Sequence, residues 1–110
     1  MLRQQLSAHI FSTIWLNIMA RVEMTQHLYR FFPHLKNQVI NVPASSIAEV
    51  LQRINEIAPG FSDYVLDDHG ALRRHVNISI NHNIVIDKVN LSDRVPDDAT
   101  VYIFQALSGG

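Results

Sequence analysis

Apolar and polar positions follow two clear periods along this chain. Ile47, Val50, Leu51, Ile54 and Ile57 fall at i, i+3, i+4, i+7 and i+10, one stripe on a single amphipathic helix. Ser46 and Glu49 make a capping box at its start: the Ser46 hydroxyl can accept from the Glu49 N–H, and the Glu49 carboxylate can reach back. Pro59-Gly60 ends it. Elsewhere the period is two. Val76, Ile78 and Ile80 alternate with Asn77 and Ser79, which predicts a strand over Arg74–Ile80 with one buried face. A turn at Asn81-His82-Asn83 leads to a short strand, Ile84–Ile86, and Thr100–Phe104 reads as the last strand. Towards the N-terminus, Gln38–Val42 alternates. His27–Phe32 is aromatic-rich and reads as a strand closed by Pro33, with a hairpin loop near His34–Asn37. Phe61–Ala71 reads as a connection with a turn at Asp67–Gly70, and Leu91–Ala99 is polar and turn-rich.

The predicted order is β-β-α-β-β-β. A hairpin, a helix lying across the sheet and a final strand returning to the middle make a β-grasp: an α+β fold with a mixed sheet and one main helix packed across it. The terminal strands are then parallel neighbours. The expected organisation is an N-terminal extension over residues 1–23, the β-grasp domain over 24–104 and a flexible tail over 105–110. Ile10, Ile14, Ile18, Phe11 and Trp15 recur at helical spacing within the extension. Ser12, Thr13 and Asn17 interrupt that run, which is too short to span a bilayer, and Asn17–Ala20 makes a poor signal-peptide cleavage site. The expected roles are an accessory helix or an extension upstream of a second start at Met24.

Composition narrows the chemistry. The 110 residues suit one domain, and 47% hydrophobic with 17% charged residues is globular. With no cysteine, disulfides, thiolate zinc sites and a cysteine nucleophile are excluded on this chain. Nine basic against ten acidic residues, with no basic stripe, argue against nucleic-acid binding. Lys36 and Lys88 are the only lysines, too few for a polybasic membrane patch. His9, His27, His34, His69, His75 and His82 lack the spacing that aims two imidazoles at one ion, so no metal site is expected. Asp67-Asp68 and Asp97-Asp98 sit in turns, where Asp serves local hydrogen bonding. Asn77-Ile78-Ser79 and Asn90-Leu91-Ser92 match the glycosylation pattern, the first within a core strand, and are read as chance matches. The chain is expected to be soluble and cytoplasmic.

Three features carry a resemblance. The chain ends in Gly109-Gly110; the strand Val101-Tyr102-Ile103-Phe104 stands six residues before that end; and Val95-Pro96-Asp97-Asp98-Ala99-Thr100-Val101 occupies the place of a Leu-x-Asp-Gly-Asp-x-Val turn. Over residues 24–110 the chain resembles the MoaD/ThiS family of ubiquitin-like sulfur carriers, the small subunit of molybdopterin synthase and the sulfur carrier of thiamin synthesis. Asp98 stands where that family has the turn glycine, Ala99 where it has the second acid, and Gln105 where many members have proline. Aspartate tolerates a left-handed backbone, so the turn can survive.

The resemblance implies a carrier rather than an enzyme. A ubiquitin-activating-type adenylating enzyme would spend ATP to form a Gly110 acyl-adenylate, a persulfide would convert it to a thiocarboxylate, and a synthase subunit would accept the sulfur. No cofactor would be bound by the carrier itself. Molybdopterin is the first client expected, thiamin or another sulfur-containing metabolite the next. Carboxylates are poor electrophiles, and adenylation supplies a leaving group. The tail Leu107, Ser108, Gly109 and Gly110 must then thread a narrow channel, where glycine's missing Cβ permits close approach. A modifier joined through Gly110 to target lysines, and a non-conjugated interaction module, are the alternatives. The family pattern also places Val101 and Ile103 inward, so Tyr102 and Phe104 face outward. They are read either as a partner-docking pair or as a surface covered by Phe11, Ile14 and Trp15.

Overall fold

The computed structural model describes residues 19–106. Across them run β1 (Met19–Met24), α1 (Gln26–Phe31), a 3-10 turn (Pro33–Leu35), β2 (Ile40–Pro43), α2 (Ile47–Ile57), α3 (Phe61–Val65), β3 (Val76–Ile80), β4 (Asn83–Ile84) and β5 (Thr100–Gln105). The strands form one mixed sheet in the order β2-β1-β5-β3-β4. β5 is central: it runs parallel to β1, with Arg21 opposite Thr100 and Met24 opposite Ile103, and antiparallel to β3, with Ile78 opposite Ile103. This is the β-grasp, with its first and last strands parallel neighbours as expected.

The first strand comes from different residues than expected. Ala20, Val22 and Met24 are buried while Arg21 and Glu23 are exposed, the period-two pattern of a half-buried strand. The sheet therefore begins at Met19, inside the stretch assigned to the 1–23 extension, and a chain started at Met24 would lack most of β1. The remainder of that extension, residues 1–18, lies outside the described residues. His27–Phe32 is not a strand: Gln26–Phe31 is α1. With the slot beside β5 filled by β1, this aromatic run has no ladder to join. It coils instead and drops Leu28 into the core, leaving Arg30 and Phe31 exposed. The expected hairpin loop is thus a longer connection through α1 and the 3-10 turn. The reading of Phe61–Ala71 as connection misses α3. Aromatic contacts bind that helix to α1, with ring centroids 5.1 Å apart for Phe32–Phe61 and 5.0 Å for Phe31–Tyr64.

The helix α2 is where the stripe places it. Ile47, Val50, Leu51 and Ile54 are buried against the sheet's inner side chains, Val22, Val42, Ile78, Val101 and Ile103 among them. Ile57 is 45% exposed, and Ala58, one turn beyond Ile54, closes the stripe instead. The Ser46 hydroxyl accepts from the Glu49 N–H at 3.2 Å, while the Glu49 carboxylate takes the Ser45 hydroxyl at 2.7 Å. The two preceding helix N–H groups are met from far along the chain: Ile47 donates to the Asp93 carbonyl at 3.1 Å and Ala48 to the Leu91 carbonyl at 3.0 Å. Three of the four N–H groups left over at the helix's start are thereby satisfied.

That capping segment is itself shaped by carboxylates. Asp93 accepts from the N–H groups of Ile86 and Asp87 at 2.9 and 2.8 Å. Asp87 accepts from the Ser92 hydroxyl and from the N–H groups of Val89, Asn90 and Ser92. The Ser92 hydroxyl first, then the Asn90 N–H, hold the Asp87 carboxyl down at about 2. The turn before β5 also meets expectation. Asp98 has φ +58°, the left-handed position, and its N–H donates to the Met19 carbonyl at 3.2 Å. Ala99 is fully buried, so an acid there would be a buried charge.

Three outcomes follow from this packing. Ile54→Ala, at a position with no exposure, lowers stability by about 2–5 kcal/mol in urea denaturation. Asp98→Val, a β-branched residue at positive φ, costs about 1–3 kcal/mol, whereas Asp98→Gly is tolerated. Asp87 is ionised in the fold at a pH where an ordinary carboxylate takes up its proton. Its stabilising contribution is complete above about pH 4 and disappears as pH falls towards about 2. Acid titration of Asp87→Asn should show a shallower loss of stability across that window than the parent chain.

Candidate functional site

Alternation along β5 decides what each face of the sheet presents. Val101 and Ile103 are fully buried. Tyr102 is 37% exposed and Phe104 half-buried on the opposite, outer face, as expected. Their rings stack with centroids 5.5 Å apart and planes at 30°. The rest of the outer face is largely polar, with Arg21 and Glu23 from β1 and Asn77 and Ser79 from β3, and carries the exposed Ile84 of β4 opposite Ser79. Ser79 stands opposite Tyr102 in the ladder and is almost covered. The aromatic pair is thus the central apolar spot of a largely polar face, with Ile84 on the edge strand beyond Ser79.

A cleft of about 490 Å³ opens beside it, lined by Glu23, Ser79, Asn81, His82, Thr100 and Tyr102. Its shape is set by the β3–β4 hairpin. Asn81 and His82, at φ +48° and +75°, make a two-residue turn of the kind whose twist suits a hairpin. Asn81 clamps the turn to β5: its N–H donates to the Thr100 carbonyl and its Oδ1 accepts from the Thr100 N–H, both at 2.9 Å. Strand pairing then begins at Asn83, so the predicted strand Ile84–Ile86 is the shorter β4, and Ile86 is 90% exposed.

The other end of β5 is where the tail leaves. Gln105 pairs with Val76, and the Ala106 N–H donates to the His75 carbonyl at 2.8 Å. The chain is therefore held against β3 up to Ala106. Four residues later stands Gly110, within a reach of about 14 Å. The expected tail residues, Leu107, Ser108, Gly109 and Gly110, lie outside the described residues, as do Phe11, Ile14 and Trp15. Of the expected site, the structure therefore locates Tyr102 and Phe104 and the point from which the tail departs. Sequence reasoning did not find the Asn81 clamp or the cleft it borders; an Asn-His-Asn turn between alternating runs was its only signal.

Among the described residues no group of three or more His, Cys, Asp or Glu is placed to hold a metal ion, and no helix is long and apolar enough to cross a membrane. Asp67 directs its carboxylate at the N–H groups of His69 and Ala71, at 2.8 and 3.0 Å, which lowers its pKa. Asp67 and Asp87 thus both serve as turn builders.

No protein-family model and no curated protein sequence matches this chain. Solved structures do. SAMP1 from Haloferax volcanii superimposes with a TM-score of 0.68 at 17% identity, over 84% of this chain and 99% of that one. CysO of Mycobacterium tuberculosis gives 0.68 at 24% identity, over 80% and 99%. A chain of the Amycolatopsis orientalis BexX/CysO complex gives 0.69 at 18% identity, over 83% and 99%. The chain thus has the ubiquitin-like β-grasp fold, shared with SAMP1 and CysO over nearly their whole lengths.

Proposed function

We propose that this chain is a ubiquitin-like sulfur carrier that works through the carboxylate of Gly110. The observation that carries the reading is the course of β5. Its central strand sets two stacked aromatics on an open sheet face, is fixed through Ala106, and points into a tail ending Leu-Ser-Gly-Gly. Tyr102 and Phe104 are assigned to docking a ubiquitin-activating-type adenylating enzyme and, later, a sulfur-accepting synthase subunit. Exposed aromatics beside a reactive end bring buried contact area at low entropic cost.

The chemistry follows from the carboxylate. At neutral pH it is ionised, since an α-carboxyl titrates near 3.3–3.7, and it can attack the α-phosphate of ATP held by the partner. Pyrophosphate leaves and an acyl-adenylate remains. The terminal sulfur of a persulfide then displaces AMP, and thiol reduction of the resulting acyl disulfide releases the thiocarboxylate. This chain's contribution is positional: the sheet fixes Ala106, and the last four residues carry the carboxylate into the partner's site. Gly109 and Gly110, without Cβ atoms, allow the partner's walls to close on the backbone. Sulfur transfer to a molybdopterin precursor is the client we assign first.

One observation favours a second reading. SAMP1, whose fold this chain shares, is by name a small archaeal modifier protein, and joining Gly110 to lysines of other proteins would use the same activated carboxylate. Intact mass of the protein from its own cells separates the two and reads whether Gly110 is the free end. A sulfur-for-oxygen exchange marks a carrier; hydroxylamine-stable high-mass adducts mark a modifier; neither marks an interaction module.

The positional requirement is directly measurable. Deleting Gly110 moves the reacting carboxylate by up to about 3.6 Å, as does adding one residue. A 1 Å misplacement already costs about a hundredfold in rate. Pyrophosphate release by the cognate adenylating enzyme should fall at least about a hundredfold for both variants, with the fold unchanged by circular dichroism. Equal rates for all three chains refute Gly110 as the reacting end.

A further inference from the structure

Where the tail leaves the sheet there is a second cleft, of about 160 Å³. It is lined by Arg73, Arg74 and His75 on the approach to β3, by Lys88 from the segment after β4, and by Phe104 and Ala106 at the end of β5. Two backbone hydrogen bonds gather these separate segments, Leu72 N–H to the Lys88 carbonyl and Ala106 N–H to the His75 carbonyl, each at 2.8 Å. Arg73, Arg74, His75 and Lys88 are all exposed, and no carboxylate lines the cleft. The nearest acid in sequence, Asp87, is committed to its own loop. Among the described residues the one ion pair is Arg53–Glu56 on α2, so Arg73, Arg74 and Lys88 have no carboxylate partner there. The Arg73 guanidinium donates to the neutral Asp63 carbonyl, and its charge also helps to lower the Asp67 carboxyl, though no ion pair forms between them. In a chain of net charge −1, three permanent cations gathered around the root of the tail are a marked local asymmetry.

The geometry points to a docking cleft for an acidic protein surface, carboxylates on the partner that surround the opening into which the tail passes. This rests on the proposed function, whose partner it describes more closely. Three cations are few for a nucleic-acid footprint, where about 6–10 phosphates are commonly contacted. A small free anion would find exposed side chains whose charge the solvent screens, with no buried donor. A protein surface matches better. Phe104 and its stacking partner Tyr102 make the cationic cleft continuous with the aromatic spot, and arginine with aromatics is the composition of protein interfaces. Exposed charges of this kind act chiefly on association and orientation, bringing the tail to the partner's opening before the aromatic pair seats.

Two measurements test it, the first independent of activation. The full chain, labelled with 15N, is titrated with hexaglutamate at low salt. Amide shifts should centre on Arg73, Arg74, His75, Lys88 and Ala106, and vanish at high salt and in Arg74→Gln/Lys88→Gln. No shifts, shifts centred elsewhere, or shifts that persist in the double variant overturn the proposal, as does tighter binding of a DNA oligonucleotide. In the second, the cognate adenylating enzyme is assayed with the same variant. KM for the carrier should rise about tenfold with kcat unchanged, and its dependence on ionic strength should flatten. Lys36→Gln, beyond the opposite edge of the sheet, should leave KM unaltered. An unchanged KM for the double variant overturns the cleft while leaving the carrier reading standing. Unimpaired activation of the Gly110 deletion removes the carrier reading, and the hexaglutamate titration still judges the cleft.

Discussion

The parallel pairing of β1 with β5 is the constraint on which the molecule depends. Parallel neighbours cannot be joined by a tight turn. Everything between Met24 and Thr100 must therefore leave one end of the sheet and re-enter at the other, and the helices are packed on the way. α2 fills the inner face because its stripe of Ile47, Val50, Leu51 and Ile54 meets the inward side chains of all three central strands. The same pairing makes β5 an interior strand, flanked on both edges and rigid up to its last residue. A tail that began at an edge strand would start from a freer end. Here it starts from the best-supported strand of the sheet.

A second feature is the use of carboxylates as backbone scaffolding. Asp87 and Asp93 accept between them from Ile86, Asp87, Val89, Asn90 and Ser92. This bends the segment before β5 so that the carbonyls of Leu91 and Asp93 reach the start of α2. The helix is thus capped jointly by its own Ser46 and by the irregular segment before β5, more than forty residues away. Helix and segment cannot separate without exposing those donors. This long-range capping complements the hydrophobic stripe, since apolar burial sets where α2 lies and the carbonyls set its axial position.

The outer face follows a different logic. It is largely polar apart from Tyr102, Phe104 and the edge-strand Ile84, and the clefts flank the aromatic pair, one bounded by the Asn81-His82 turn and the other by Arg73, Arg74, His75 and Lys88. Aromatic contact area, a shaped recess and a cationic rim thus share the face and end of the sheet from which the tail departs. The body of the fold supplies the recognition surface, and the chemistry lies in the terminal carboxylate.

Local signals determined much of this from the sequence alone. The spacing and capping box of α2 and the alternation in β3 and β5 depend on residues within one or two turns of each other, and their physics is complete within a short window. The left-handed Asp98, by contrast, was legible only through the turn of the family the chain resembles. The outward direction of Tyr102 and Phe104 followed from strand periodicity once the family pattern had placed Val101 and Ile103 inward. Tertiary structure decided what such windows could not. Met19–Met24 and His27–Phe32 each satisfy a strand's local requirements, yet one slot lies beside β5. Ala20, Val22 and Met24 fill it with period-two burial, while Leu28 reaches the core from a helix. The stripe's closure at Ala58 rather than Ile57 depends likewise on the surface α2 meets. The cationic cleft is assembled from Arg73–His75, Lys88 and Ala106, segments brought together only by backbone hydrogen bonds across the sheet's end. No linear pattern encodes that proximity, because the energy that creates it belongs to the ladder and not to the residues that line the cleft.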